Sequence, residues 1–138
     1  MKNIHASCIS YLNKGILIRG KSGLGKSDLC LRLIMDKGCR LVGDDRVDIY
    51  TKSGALKARS VATISNMLEV RGVGLVKFDA QKSATVKLVV ELVKDSSQIE
   101  RLPDDDFFEY ENVKVKKIQL CAFEASAVNK VILALSLA

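Results

Sequence analysis

Aromatic residues are scarce in this sequence: tryptophan is absent, and three tyrosines and four phenylalanines make up 5% of 138 residues. Basic residues are in excess all the same, for a net charge of +6. A surface that binds single-stranded nucleic acid interleaves cations with stacking rings. Here Lys14, Arg19, Lys37, Arg59, Lys77 and Lys87 are scattered, and the one tight run is KVKK, Lys114 to Lys117. No nucleic-acid partner is expected. The positive balance suits a solvated surface, with an acidic protein or a phosphorylated ligand as its natural partner.

Other absences narrow the class further. Proline occurs once, nothing resembles a flexible linker, and no repeat is visible, so residues 1–138 read as one domain. Cys8, Cys30, Cys39 and Cys121 share no C-x-x-C spacing, and His5 is the only histidine, which argues against structural zinc. The opening MKNIHASCIS has no apolar run of a secretory signal, and VILALSLA, Val131 to Ala138, is too short to span a bilayer. A reduced, cytoplasmic protein without membrane contact is expected.

What is present is the profile of a globular domain, 48% hydrophobic and 28% charged. GILIR, Gly15 to Arg19, reads as a buried strand. Ser27 to Lys37 carries apolar residues at Leu29, Cys30, Leu31, Leu33, Ile34 and Met35, a helix buried on one face with Gly38 as its cap. CRLVG, Cys39 to Gly43, is the next strand, Val47 to Tyr50 continues extended, and TKSG, Thr51 to Gly54, reads as a hairpin turn. A polar connection leads to MLEVRGVGLVKF, Met67 to Phe78. Thr85 to Val93 and Val113 to Leu120 read as strands, the latter with a slip in phase at Lys116-Lys117. Ser96 to Asp106 reads as a loop, and a second helix is expected near the end. The chain is α/β and strand-rich.

Between the first strand and the first helix lies Gly20-Lys21-Ser22-Gly23-Leu24-Gly25-Lys26-Ser27, a full G-x-x-x-x-G-K-[ST] pattern in the context it needs. The glycines let backbone N–H groups turn inward around phosphate oxygens, and the helix N-terminus adds its dipole. Lys26 reaches the β- and γ-phosphates, and the Ser27 hydroxyl suits Mg²⁺. This loop predicts a nucleotide or another polyphosphate as ligand. Asp44-Asp45 end a strand a short way downstream. One acid there can serve a metal's water shell while the other faces a nucleophile; spacing leaves open which does which.

His5, GKSGLGKS, VGDDRVDIY (Val42 to Tyr50) and LEVRGVGLV (Leu68 to Val76) stand in the order and spacing of the catalytic domain of HPr kinase/phosphorylase. The sequence resembles that family over nearly its whole length, more weakly through IERL (Ile99 to Leu102) and VKVKKIQL (Val113 to Leu120). The resemblance implies a P-loop-containing fold similar to that of phosphoenolpyruvate carboxykinase, built on a strand-rich mixed sheet. It implies an ATP- and Mg²⁺-dependent kinase for a serine of HPr, the small phosphocarrier of the phosphotransferase system, or of a nitrogen-related homologue. Pyrophosphate sometimes replaces ATP, and the family also removes the phosphate by phosphorolysis, with inorganic phosphate as acceptor. A homo-oligomer, hexameric in the family, is implied as well.

Carried over by position, the resemblance makes residues Gly20 to Ser27 the nucleotide loop with Lys26 catalytic, Ser27 and Glu69 Mg²⁺ ligands, and Asp45 the general base. His5 and Arg101 match two further active-site positions that contact phosphate. The sequence departs from the family at CAFEASAVNK, Cys121 to Lys130, which lacks the usual Pro, Gly and Arg and carries Glu124 where a positive charge is common. A form without the family's N-terminal regulatory domain and C-terminal helix is expected, with phosphorolysis and hexamer formation the properties most exposed to these differences. The rival readings are a catalytically impaired nucleotide-binding regulator and a P-loop kinase for a small molecule.

Overall fold

The chain opens with a hairpin in which β1, Lys2–Tyr11, turns at Leu12 and Asn13 and returns as β2, Lys14–Arg19. Both turn residues have positive φ, 50° and 66°, the geometry that matches the twist of paired strands. A computed structural model describes residues 1–61 and 66–138. After the glycine-rich loop come α1 (Lys26–Lys37), β3 (Arg40–Gly43), β4 (Arg46–Lys52) and β5 (Ala55–Ser60). β6 (Met67–Val70) and β7 (Gly74–Lys77) form a separate two-stranded sheet. β8 (Ser83–Leu92), a 3-10 turn at Ser96–Gln98, β9 (Asp106–Tyr110), β10 (Val113–Leu120) and α2 (Ala127–Ser136) complete the order. The mixed α/β, strand-rich architecture is the one expected.

β1 lies antiparallel to β2, β2 parallel to β8, β8 antiparallel to β5, β5 to β4, and β4 back to the first half of β1. These five strands therefore close into a ring. β3 pairs with the second half of β1, and β10 extends β8 in parallel toward β9. Each strand has a residue period of two, so the ring buries both faces. Along β2, Ile16 and Ile18 meet Leu29, Leu33, Val128 and Val131 of the two helices, while Leu17 faces Val47, Ile49, Leu56 and Val89. Gly15 is required by close approach: a Cβ there would lie 2.8 Å from the Thr85 carbonyl oxygen.

The phase slip in β10 follows from the same two-sided burial. Val113 and Val115 face the core inside the ring, whereas Ile118 and Leu120 face the helices. No extra residue is needed, because odd and even positions simply lie on opposite faces and each half of the strand buries a different one. The expected polar connection after Gly54 contains β5, whose Leu56 and Ala58 point inward between exposed or half-buried Lys57 and Arg59; residues 62–65 of that connection lie outside the described residues. The acidic loop ends in β9, where Asp105 and Asp106 pair with Lys116 and Lys117 at 3.9 and 3.4 Å. Two of the three lysines of KVKK thus have acidic partners.

All four cysteines are buried free thiols. Burial pushes Cys8 up to about 12 and Cys39 up to about 11 from an ordinary 9.0, and burial with the nearby Asp44 carboxylate pushes Cys30 well above it. In the folded chain these groups stay protonated while an unfolded chain would ionise, so stability falls as pH rises above about 9. A lower urea midpoint at pH 10.5 than at pH 8, together with protection of Cys8, Cys30 and Cys39 from iodoacetamide until unfolding, is the expected result.

Candidate active site

The carboxyl ends of β2, β3, β8 and β10 gather at one edge of the sheet, because the first three run in one direction beside or across β1 and β10 is parallel to β8. Loops leaving such ends build ligand crevices in α/β sheets. Here the phosphate loop leaves β2, and the Asp44-Asp45 turn leaves β3. The first half of β1 brings His5 to the same edge through its pairing with β4, as Ala6 pairs with Arg19.

Gly25, the N-cap of α1, has φ of 95°, and a Cβ there would press within 3.1 Å of the Phe123 ring. Glycine is needed for both reasons. Lys26 is nearly buried, and its Nζ donates to the carbonyls of Gly20 at 2.6 Å and Lys21 at 3.2 Å. Two of three ammonium donors therefore fix the charge at the loop and one remains for a phosphate oxygen. The Ser27 hydroxyl donates to Asp44 Oδ1 at 3.1 Å. That leaves its lone pairs free for a hard cation, so the donor set of hydroxyl and carboxylate fits Mg²⁺. Among the described residues no cluster of three or more His, Cys, Asp or Glu side chains forms a complete metal cage. Mg²⁺ commonly binds through one or two protein ligands plus nucleotide phosphates, so this is no obstacle.

The two aspartates divide their contacts. Asp44 turns toward Ser27, while Asp45 Oδ1 accepts from His5 Nε2 at 2.8 Å. Asp45 holds a left-handed backbone, φ 67°, a conformation that costs energy for a non-glycine residue and clusters at functional sites. Three bonds maintain it: its N–H donates to Ser7 Oγ at 3.1 Å, its carbonyl accepts from Ala6 at 3.0 Å, and Arg46 N–H donates to the Asp44 carbonyl at 2.7 Å. Ser7 is fully buried and also donates to Asp44 Oδ1 at 2.9 Å, so one hydroxyl braces both acids. Ser7→Ala should lower stability by about 1 kcal/mol or more, because the Asp45 N–H and Asp44 Oδ1 both lose the buried hydroxyl that bonds them; urea unfolding measures it.

Lys26, Ser27, Asp45 and Glu69 line one open cleft of about 770 Å³, with Ser22, Gly23 and Gly25 of the loop. Glu69 arrives on β6, which is held to α1 by the fully buried Leu68. His5, Gly20, Lys21 and Leu24 line a second cleft of about 590 Å³ on the other side of the loop. The His5–Asp45 bond joins the two. Arg101 stands apart: it is exposed in a bend beyond the 3-10 turn and lines neither cleft. Ser7, Arg71 and Phe123 were not anticipated at the site. Arg71 could have been found inside LEVRGVGL; Ser7 pairs across 37 and 38 residues and leaves no local signal.

The model of the HPr Serine kinase C-terminal domain matches residues 1–137. The chain belongs to this family. Among curated members of the HPr kinase family, it is 41% identical to the HPr kinase/phosphorylase of Clostridium novyi over 125 residues, covering 83% of this chain and 40% of that protein. It is 37% identical over 130 residues to the HPr kinase/phosphorylase of Mycoplasma mycoides. The chain thus spans about two-fifths of the length of these relatives. The solved Hpr(Ser) kinase/phosphatase of Coxiella burnetii superposes with a TM-score of 0.80 at 26% identity, covering 99% of this chain and 88% of that one.

In this HPr kinase C-terminal domain the altered segment after β10 packs directly on the phosphate loop. Phe123 borders Gly25, and Arg32, paired with Asp28 at 3.0 Å, donates to the Ala122 carbonyl. Glu124 pairs with Lys130 at 2.7 Å, so its negative charge is answered within the segment. Among the described residues no helix is long and apolar enough to cross a membrane.

Proposed function

We propose that residues 1–138 act as one catalytic domain of a cytoplasmic serine kinase, which moves the γ-phosphoryl group of ATP to an HPr-like phosphocarrier. The observation that carries this reading is the Asp44-Asp45 turn, with one acid bonded to Ser27 of the phosphate loop and the other bonded to His5 and open to the cleft. A mere nucleotide binder has no use for a second, differently oriented carboxylate at the phosphate end.

The backbone N–H groups of Gly20 to Gly25 hold the phosphates, and Lys26 draws charge onto the leaving oxygen. Ser27 and Glu69 are the residues that would hold Mg²⁺, which when bound neutralises charge on the β- and γ-phosphate oxygens. Asp45 accepts a hydrogen bond from the acceptor serine, aligns its oxygen with phosphorus and takes the proton as the new O–P bond forms. A carboxylate is a weak base toward a hydroxyl, so alignment contributes more than proton affinity. His5 fixes the Asp45 carboxylate. In phosphorolysis the same carboxyl returns the proton to the departing serine while inorganic phosphate receives the phosphoryl group and leaves as pyrophosphate. Arg101 would reach phosphate only through movement of its exposed bend or in an assembly. Exposed Val73, Leu75, Leu133 and Leu137 support assembly into a homo-oligomer.

The test is transfer from γ-labelled Mg-ATP. Label on a serine of the HPr-like protein, released as labelled pyrophosphate once inorganic phosphate is added, is expected. Label retained by ATP that still binds would favour a nucleotide-binding regulator, and label on a small acceptor a metabolite kinase.

A further inference from the structure

Six of the seven aromatic rings in this chain have structural partners or lie away from the site. Tyr11 and Phe78 pack against the helix-side core, and Phe108 and Tyr110 against the core inside the ring of strands. Tyr50 lies under the Arg59 guanidinium, 5.7 Å from the ring centroid. Phe107 is half exposed on β9, the edge strand. Phe123 differs from all of these. It is 63% exposed, and among the described residues it is the one phenyl or phenol ring that lines either cleft.

The backbone beneath this exposed ring is fixed. Ala122 is fully buried, its carbonyl accepts from Arg32 of α1, and Arg32 is itself paired with Asp28 at 3.0 Å. The Glu124 N–H donates to the Cys121 carbonyl at 3.3 Å and closes the turn that carries the ring. One edge of the ring borders Gly25, so it stands directly beside the phosphate loop. Leu31, Val70 and Val73 line the same cleft and supply apolar surface around it.

Strand order sets where Phe123 lies relative to the acids. β3 pairs with β1, β1 with β2, β2 with β8 and β8 with β10. At the edge where their carboxyl ends gather, the Asp44-Asp45 turn therefore flanks the phosphate loop on one side and the Phe123 turn flanks it on the other. If Asp45 aligns the acceptor, the γ-phosphate points toward the acids and the nucleoside points away from them.

We propose that Phe123 is the platform on which the nucleotide base stacks, and that it makes this chain select a nucleoside triphosphate over a bare polyphosphate. The direction of the nucleotide rests on the kinase reading above. A flat, rigidly held ring meets the π-face of a base with little ordering cost, and such stacking tolerates any base. The loop grips phosphates alone, so the discrimination comes from the ring.

The test compares the full chain with Phe123→Ala, Phe123→Leu and Phe123→Trp, with Mg²⁺ present. Calorimetry measures binding of ATP and of inorganic triphosphate, which carries the phosphates without the nucleoside. The expected result is a tenfold or greater loss of ATP affinity in Phe123→Ala and Phe123→Leu, with triphosphate affinity within twofold of the parent chain. Phe123→Trp should keep ATP affinity. It also gives the chain its one tryptophan, whose emission ATP should quench and triphosphate should not. Equal losses for both ligands would make the ring a packing group for the loop and overturn the proposal. Unchanged ATP affinity in Phe123→Ala would overturn it too, as would a parent chain that binds triphosphate as tightly as ATP. Binding needs no acceptor. A chain that binds ATP but transfers nothing would sink the kinase reading and leave the Phe123 result readable.

Discussion

Asp45→Asn should lower phosphoryl transfer by about 10²–10⁴-fold, the range for loss of a positioned general base, while ATP still binds. Asparagine preserves the shape of the side chain and tolerates the left-handed backbone that Asp45 holds at φ 67°. Its amide can still meet His5, 2.8 Å from Asp45 Oδ1 in the parent chain. What it loses is the charge that orients a serine hydroxyl and the capacity to take its proton. Steady-state kinetics with the HPr-like acceptor, set beside ATP affinity by calorimetry, separates these effects. A fall in kcat with unchanged ATP affinity is expected. Unchanged turnover would mean that Asp45 is only a bonded turn residue.

Lys26→Ala should remove transfer by about 10²–10³-fold or more, as for loss of one electrostatic contact to the developing charge, and should weaken ATP as well. The second effect follows from where the ammonium sits. It is nearly buried, bonded to the Gly20 and Lys21 carbonyls at 2.6 and 3.2 Å. Truncation leaves those carbonyls without their donor and loosens the loop that must present N–H groups to phosphate. Lys26 therefore shapes the loop in addition to charging it. The variant should bind ADP, which lacks the γ-phosphate, with a smaller penalty than ATP. Equal penalties would assign Lys26 to the loop's architecture alone.

The parts of this site that were legible in the sequence are those whose geometry is local. Gly20 to Ser27 builds its phosphate cradle from consecutive residues, and Gly38 ends α1 by bonding back to Ile34 within the same helix. The LEVRGVGL stretch carries Glu69 and Arg71 on one hairpin. Less legible was β1, because buried Ser7 and Ser10 interrupt its apolar pattern. β5 alternates small apolar residues with lysine and arginine and looks polar until its partners β4 and β8 are known. The division of labour between Asp44 and Asp45 could not be read from adjacency. It depends on Ser7 and His5, which reach the turn only through the pairing of β1 with β3 and β4. Arg101 shows the reverse case: its motif matched, and the fold leaves it on an exposed bend.

The segment after β10 packs on the phosphate loop. Phe123 and Ala122 close over Gly25, and the Glu124–Lys130 pair lies within the segment. An uncompensated negative charge beside the phosphates would oppose nucleotide and inorganic phosphate alike. With Lys130 at 2.7 Å, that repulsion is reduced.

The most direct test of the central claim is the intact mass of the cognate HPr-like protein after incubation with this chain and Mg-ATP. A gain of one phosphoryl group, mapped to a serine and missing with Asp45→Asn, is the predicted result. An unchanged mass, with ATP bound and the chain folded, would contradict it.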